Sequence, residues 1–235
     1  MKKLSLILLF PFLFTLNGCT ELQSIVDNIP ELGTSNTEIA LGLKQALEFG
    51  VNEGVDILGE KDGFFRDQAV RILLPNEIQQ VDRALRQIGL SALADEGLRV
   101  LNRAAEDAVV EAKPIFVSAI RGLTFQDAMG ILTGNDQAAT TYLQNRTTAQ
   151  LTSAFEPKIA SSLDKVGAND IWNEIFSKYN AIPLVQPVNP NLTEYVTQKT
   201  IDGLFTKVAV KEKSIRNDLG ARTTPLLQKV FAIQD

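Results

Sequence analysis

The sequence of 235 residues contains no histidine and only one cysteine, Cys19. Without histidine, the chain cannot build a Ser-His-Asp or Cys-His catalytic arrangement, a zinc site with imidazole ligands, or an acid/base step on an imidazole. A single cysteine cannot close an internal disulfide. These two absences remove the commonest nucleophilic and zinc-dependent mechanisms. They favour a protein that is not an enzyme and carries no cofactor.

Basic residues are fewer than acidic ones, at 23 Lys and Arg against 28 Asp and Glu. Lys2 and Lys3 belong to the first segment, so the rest of the chain has 21 basic and 28 acidic residues, a net charge of −7. A nucleic-acid-binding protein needs a basic face that displaces counterions. We therefore expect no nucleic-acid partner and no adhesion to anionic lipid through charge alone.

One long apolar run is present, from Leu4 to Leu16, directly after Met1-Lys2-Lys3. It is shorter than the about 20 residues that span a bilayer, and its order is that of a bacterial export signal. The run closes at Leu16-Asn17-Gly18-Cys19, which resembles the site where lipoproteins carry a diacylglyceryl-modified cysteine. An ordinary cleaved signal and an uncleaved anchor are the alternatives, and the position of the lone cysteine favours lipidation.

The anchor predicts where the protein works. Residues 1–18 are expected to be the signal peptide, 19–36 a lipidated tether and 37–235 a single helical domain. Thr20 stands where lipoproteins retained in the inner membrane often carry aspartate, which indicates the outer membrane of a Gram-negative bacterium, facing the periplasm. Membrane attachment would then depend on acyl chains, of which two or more give stable anchoring.

Apolar residues recur at three- and four-residue intervals from Thr37 onward, which predicts an all-α, compact bundle of about 8–10 helices. At most one short extended segment is expected, near residues 69–74, because Leu74 precedes a proline. The expected helices are Glu38–Leu58, one from Pro75 to a stop at Gly89, Ser91–Ala112, a continuation restarted by Lys113-Pro114 and ended by Gly122, one from the Thr124/Asp127 capping box to Gly134, Asp136–Val166 with a break near Thr147, one around Ile171–Tyr179, Leu192–Asn217, and a closing helix from Thr224-Pro225.

Three glycines, Gly42, Gly50 and Gly54, lie inside the first expected helix. Each costs about 1 kcal/mol relative to alanine in a helix interior. Either a neighbouring helix approaches the backbone closely, or this helix is weak and bends. Both interpretations stay open.

Several short segments occur in an order and spacing that resemble a known family. They are Asn102–Glu106, Ile115-Phe116, Asp127-Ala128, Ile131–Gly134, Ala138–Tyr142, Asp202–Phe205, Glu212–Arg216, Arg222–Thr224 and Val230-Phe231. Together they resemble the bacterial domain-of-unknown-function 4197 family, from about Leu41 to Phe231. The resemblance implies a helical domain associated with the cell envelope, and it implies no particular activity.

Polar residues among apolar ones are the candidates for a site. Arg103 and Glu106 share a helix face and form either a partly buried ion pair or a pocket whose arginine holds an anion. Glu212 and Arg216, four apart, are expected to form an exposed helical salt bridge. Positive charge near predicted helix ends would complement exposed carbonyl groups. The candidate groove for a ligand or partner therefore comprises Arg103, Glu106, Arg121, Arg146, Glu212, Arg216 and Arg222.

A hydrolase that acts on cell-wall glycan is the alternative function. That chemistry needs two carboxyl groups set across a bond, one of them with a raised pKa, and Glu106, Glu194 and Glu212 are the candidates. The preferred hypothesis is a non-catalytic lipoprotein whose helical domain binds an envelope protein or a small ligand. An aromatic stripe, Trp172, Phe176 and Tyr179, is expected to pack in the core or to line a groove.

Overall fold

The computed structural model describes residues 36–74, 91–170 and 191–232, together with positions 79, 86, 87, 89 and 173. The described residues form α-helices and one short 3-10 helix, and no strand occurs among them. The helices are α1 (Asn36–Gly59), α2 (Ser91–Val109), α3 (Ala112–Arg121), α4 (Phe125–Leu132), α5 (Ala138–Asp164), α6 (Leu192–Asn217) and α7 (Pro225–Phe231), with the 3-10 turn at Leu219–Ala221. The prediction of an all-α bundle is confirmed.

Several predictions fall outside the described residues. They are the signal and Cys19, most of the helix expected from Pro75, the aromatic stripe Trp172, Phe176 and Tyr179, and most of the proline-containing loop before Asn191. They stay predictions.

Helix α6 lies at the centre of the bundle, where it packs against α5, α1 and α2. Its buried face includes Phe205, whose ring meets that of Phe116 edge to face at a centroid distance of 5.8 Å. Helix α5 also packs on α2 and α3, while α1 contacts α3, α4 and α7. Helices α5 and α6 therefore bury residues along their whole length. For this reason the core is continuous from α1 to α7.

The predicted stripe of α1 is buried as expected, and its glycines play different parts. The stripe consists of Ile39, Leu43, Ala46, Leu47, Val51, Val55 and Leu58. A Cβ on Gly42 would lie 2.4 Å from Val230 Cγ2, so α7 approaches the α1 backbone more closely than a side chain permits. Cβ atoms on Gly50 and Gly54 would make ordinary contacts with α6, at 3.4 and 3.5 Å. Of these three glycines, Gly42 is therefore the one at which close approach requires glycine.

Two predicted helix boundaries were wrong. Helix α2 ends at Val109 and α3 begins at Ala112, which places Pro114 third in α3 rather than at the break. Backbone N–H groups in the first turn of a helix have no intrahelical acceptor. Proline, which has no N–H, therefore loses no hydrogen bond there, and Pro114 fits this position. Helix α5 runs without a break past Thr147, whose hydroxyl donates to Leu143 O at 2.7 Å inside the helix. The threonine hydroxyl is thereby satisfied without ending the helix.

The predicted capping box of Thr124 and Asp127 is confirmed. Thr124 Oγ1 accepts from Asp127 N at 3.1 Å, and Asp127 Oδ2 accepts from Thr124 N at 3.0 Å, which completes a capping box. These hydrogen bonds from Thr124 lower the pKa of Asp127. Asn191 and Thr224 cap α6 and α7 through their side-chain oxygens. Local polar residues therefore determine where these three helices begin.

Candidate functional site

The loop after α1 is held by one buried carboxylate, Glu106 of α2, which is 3% exposed. Glu106 accepts from Asp62 N at 3.1 Å and Phe64 N at 3.2 Å. Arg103 Nη1 donates to it at 2.7 Å, so the predicted ion pair within α2 is present. Burial raises the pKa of Glu106, while the backbone amides and Arg103 oppose that shift. This carboxylate is bound to the protein's own loop.

The next part of the chain, residues 69–74 (segment 69–74), is held by the buried amide of Asn102. Asn102 Oδ1 accepts from Ile72 N at 2.8 Å, and its Nδ2 donates to Ile72 O at 2.9 Å. The same Nδ2 donates to Leu98 O at 2.7 Å. Tyr195 of α6 donates its hydroxyl to Leu73 O at 2.7 Å. Both α2 and α6 therefore fix the position of this irregular segment.

A cleft of about 470 Å³ lies between segment 69–74 and α6. Its lining includes Arg71, Leu73, Tyr195, Lys199 and Asp202. Nearby, Gly203 lets the loop approach α6, because a Cβ there would come within 2.7 Å of the Phe64 ring. Its volume lies within the range of small-molecule sites. We call it the Arg71 cleft.

Arg71 differs from the other cations around it. Its guanidinium carbon lies 4.2 Å from the centroid of the Phe65 ring, a cation–π contact. Its Nε is buried without a hydrogen-bond acceptor. Among the residues that the structure describes, none forms a hydrogen bond or ion pair with the Arg71 guanidinium. Aromatic packing, rather than a carboxylate, therefore orients it.

The neighbouring cations all have carboxylate partners. Arg86 pairs with Asp95 at 2.8 Å, and Arg99 with Glu96 at 2.7 Å. The bond from Arg86 is the main reason why the pKa of Asp95 is lowered, and the charges of Arg71 and Arg99 contribute further. In the cleft itself, Lys199 Nζ lies 3.5 Å from Asp202 Oδ2. Among the cations of this region that the structure describes, Arg71 is the one without a carboxylate partner.

A second polar cluster lies where α6 meets the start of α5. Glu212 accepts from Ala139 N at 2.9 Å and from Thr140 N at 2.8 Å. The Thr140 hydroxyl donates to the same carboxylate at 2.7 Å. The side chain from α6 therefore caps the N-terminus of α5, where free amides and the helix dipole favour an anion.

Arg216 binds the end of α4 from the same position on α6. Its Nη2 donates to Ile131 O at 2.7 Å and its Nη1 to Leu132 O at 3.2 Å. Arg216 also pairs with Glu212 at 2.8 Å, and the two side chains are only 4% and 7% exposed. The expectation of an exposed salt bridge was wrong. The last carbonyls of α4 and the first amides of α5 meet at this point, and the pair satisfies both.

Arg222 is a fully buried arginine after the 3-10 turn, at 2% exposure. It donates from Nε to Ile215 O at 3.1 Å and from Nη2 to Arg216 O at 3.0 Å. Its guanidinium also lies 5.8 Å from the Phe231 ring. Positive charge thus meets the C-terminal carbonyls of α6, as expected for an arginine near a helix end.

The carboxylates considered for hydrolysis lie in different surroundings. Glu212 borders a cavity of about 20 Å³, which holds about one water. Glu106 is bound to loop amides and Arg103. Glu194 lies exposed in the first turn of α6. Nothing in the described geometry favours a carboxylate pair set across a substrate bond.

Comparison with known proteins identifies the family. Residues 33–232 match the model of a family described as "Protein of unknown function (DUF4197)". The chain belongs to the DUF4197 family. No curated protein and no solved structure matches it.

The candidate groove residues lie at separate places in this DUF4197 domain. Arg103 and Glu106 contact the loop after α1, whereas Glu212, Arg216 and Arg222 gather at the end of α6. Arg121 is exposed in the last turn of α3.

The last candidate of that groove, Arg146, is exposed in the interior of α5. Its guanidinium lies 5.5 Å from the Tyr142 ring. It was expected near a helix end because a break had been predicted next to it.

Sequence reasoning missed Arg71 as a site residue. The available signal was a lone arginine within the apolar stretch Ala69–Leu74. Across the described part of this DUF4197 chain, no group of three or more His, Cys, Asp or Glu side chains could hold a metal ion. No single described helix is long and apolar enough to cross a bilayer, although α3 and α4 together, bent by 106°, reach that length and composition.

Proposed function

We propose that this chain is a lipid-anchored, non-catalytic binding protein of the bacterial envelope, and that the Arg71 cleft takes an anionic small ligand. One observation carries the proposal. Arg71 is one of the residues that line a cleft of about 470 Å³, and no residue in the described ranges pairs with its guanidinium. A guanidinium presents a planar fork of donors matched to carboxylate or phosphate.

The energetics of hydrogen bonding support a ligand at this point. A hydrogen bond between charged groups contributes more than a neutral one. The Phe65 ring already holds the guanidinium in place, so binding would immobilise little. An anion in the cleft would accept from the two terminal nitrogens of this guanidinium.

A binding role agrees better with the polar interior than catalysis does. Glu106 and Glu212 are both bound to backbone amides and to an arginine. Such carboxylates hold the loop and the helix ends in position. The cavity at Glu212 measures about 20 Å³, which leaves no room there for a substrate.

The sequence before and at Cys19 supports a position at a membrane. Cys19 follows a segment with the order of an export signal, and Thr20 follows it. We propose that acylated Cys19 attaches the chain to the outer membrane, with the domain in the periplasm. The acyl chains, rather than the acidic protein surface, would then hold the protein on the membrane.

Gentle extraction of the anchored protein, followed by native mass spectrometry, tests the binding role. The wild-type chain is expected to carry a small anionic ligand that Arg71→Ala loses. Arg99→Ala is the matched control, because it removes an arginine on the same Phe65 ring that already has a carboxylate partner. A ligand-free wild type, a protein partner in place of a small molecule, or equal loading of Arg71→Ala would overturn the proposal.

Acyl labelling tests the anchor separately. Cells that express the wild-type chain are expected to incorporate an alkyne-tagged fatty acid into it, and the protein should sediment with outer membranes. Cys19→Ser should lose the label and leave the membrane fraction. Labelled Cys19→Ser protein would show that lipidation occurs at another residue, and an unlabelled wild type would show that it does not occur.

A further inference from the structure

We infer that the ligand of the Arg71 cleft is a small monocarboxylate with an apolar tail. This inference rests on the proposed function of the cleft and adds the chemical class of the occupant. Three features carry it: the number of unpaired charges, the shape of the guanidinium, and the apolar wall of the cleft.

The charge balance favours a single negative charge. Arg86, Arg99 and Lys199 each have a carboxylate within 4 Å. Among the cations of this region that the structure describes, Arg71 is left without one. A monoanion neutralises one guanidinium, whereas a phosphate monoester brings additional charge that would need a second unpaired cation. Because Lys199 already faces Asp202, it does not supply a full charge.

The orientation of Arg71 suits a carboxylate. Its Nε is buried beside Phe65, so the two terminal nitrogens are the ones that a ligand can reach. Two parallel N–H donors from these nitrogens match the two oxygens of a carboxylate in a bidentate pair. The ring contact keeps the fork from rotating away, which reduces the entropy lost on binding.

Leu73 and Tyr195 form an apolar wall in the cleft. Leu73 lines the cleft with 50% of its surface exposed, although most leucines of this domain are buried. Tyr195 lines the cleft too; its hydroxyl is bound to Leu73 O, and the centroid of its ring lies 6.0 Å from Lys199 Nζ. Burying a hydrocarbon chain against these two residues would remove apolar surface from water on both sides. A short free acid such as acetate would not use this wall.

Isothermal titration calorimetry of the mature chain, residues 19–235 with Cys19→Ser, tests the inference without detergent. The probes are decanoate, decanol, decyl phosphate and acetate, each below the concentration at which it aggregates. Decanoate is expected to bind most tightly, because it alone combines one negative charge with a tail. Arg71→Gln should weaken decanoate by about tenfold to hundredfold, the equivalent of one charge-assisted hydrogen-bonded contact.

Arg99→Gln is the matched control, since it removes the same net charge on the same ring from a residue that is already paired. It should leave decanoate affinity unchanged, and thermal melting should show both variants folded. Tighter binding of decyl phosphate or of decanol, or equal affinity of Arg71→Gln, would overturn the carboxylate assignment. If decanoate fails to bind while a natural ligand is still lost from Arg71→Ala, the ligand class is wrong and the binding role stands.

Discussion

Replacing Arg216 with methionine tests the buried ion pair that joins α4, α5 and α6. Methionine keeps most of the side-chain length but removes four hydrogen bonds, two to Glu212 and two to the last carbonyls of α4. Glu212 would remain buried with its charge uncompensated, although three donors from Ala139 and Thr140 still reach it. Breaking a buried pair by removing one partner costs about 3–5 kcal/mol, a large share of the about 5–15 kcal/mol by which domains are stable.

Urea unfolding followed by far-ultraviolet circular dichroism measures this cost. Glu212→Gln and the double variant with Arg216→Met complete a double-mutant cycle. We expect the sum of the two single-variant losses in the free energy of unfolding to exceed the loss in the double variant by about 0.5–3 kcal/mol, because the residues contact each other. The loss should also persist at high salt, since a buried pair is poorly screened.

Lys158→Met is the matched control for that experiment. Lys158 pairs with Glu111 at 2.9 Å, but the two side chains are 56% and 39% exposed. An exposed pair contributes about 0–1 kcal/mol. If Arg216→Met costs no more than Lys158→Met, the pair at the end of α6 does not stabilise the domain and the reasoning is refuted.

Three further substitutions test the loop and its contact with α6. Gly203→Ala should lower the free energy of unfolding by about 1–3 kcal/mol, because its Cβ would lie 2.7 Å from the Phe64 ring. Gly130→Ala has open space around it and should raise the free energy of unfolding by up to about 1 kcal/mol. Equal effects of the two variants in thermal unfolding would contradict this. Asn102→Asp loses two donated bonds, and we expect increased proteolysis of segment 69–74; unchanged cleavage would refute the clamp. Burial raises the pKa of Glu106, so its contribution to stability is full below the unfolded pKa and is lost as pH rises through the folded value. Glu106→Gln should therefore remove that part of the pH dependence, and identical pH profiles of the free energy of unfolding would contradict the shift.

Helix positions could be predicted where short-range sequence determines them. Asn191 and Thr224 are uncharged, and the side-chain oxygen of each accepts a hydrogen bond from the backbone N–H three residues ahead. A stretch of about a dozen residues is enough to contain this signal. The predicted helices, Leu192–Asn217 and one from Thr224-Pro225, match α6 and α7. The break expected near Thr147 did not occur, because a hydroxyl that bonds back to Leu143 is as compatible with a helix as with its end.

The polar interior could be predicted only in part. The Arg103–Glu106 pair is local, three residues apart on one helix, and sequence spacing was sufficient. The burial of Glu212 and Arg216 depends on where α4 ends and α5 begins, some 70 to 85 positions away in the chain. The unpaired state of Arg71 depends on the partners of every neighbouring cation. Such information arises from tertiary packing and has no short-range signature.

The side chains that hold segment 69–74 also close it to other chains. Backbone that belongs to neither a helix nor a sheet exposes donors and acceptors onto which a strand from a second molecule can add. Here Asn102 satisfies both the amide and the carbonyl of Ile72, and Tyr195 satisfies the carbonyl of Leu73. The two side chains thus occupy three backbone groups to which a strand of a second molecule could otherwise add.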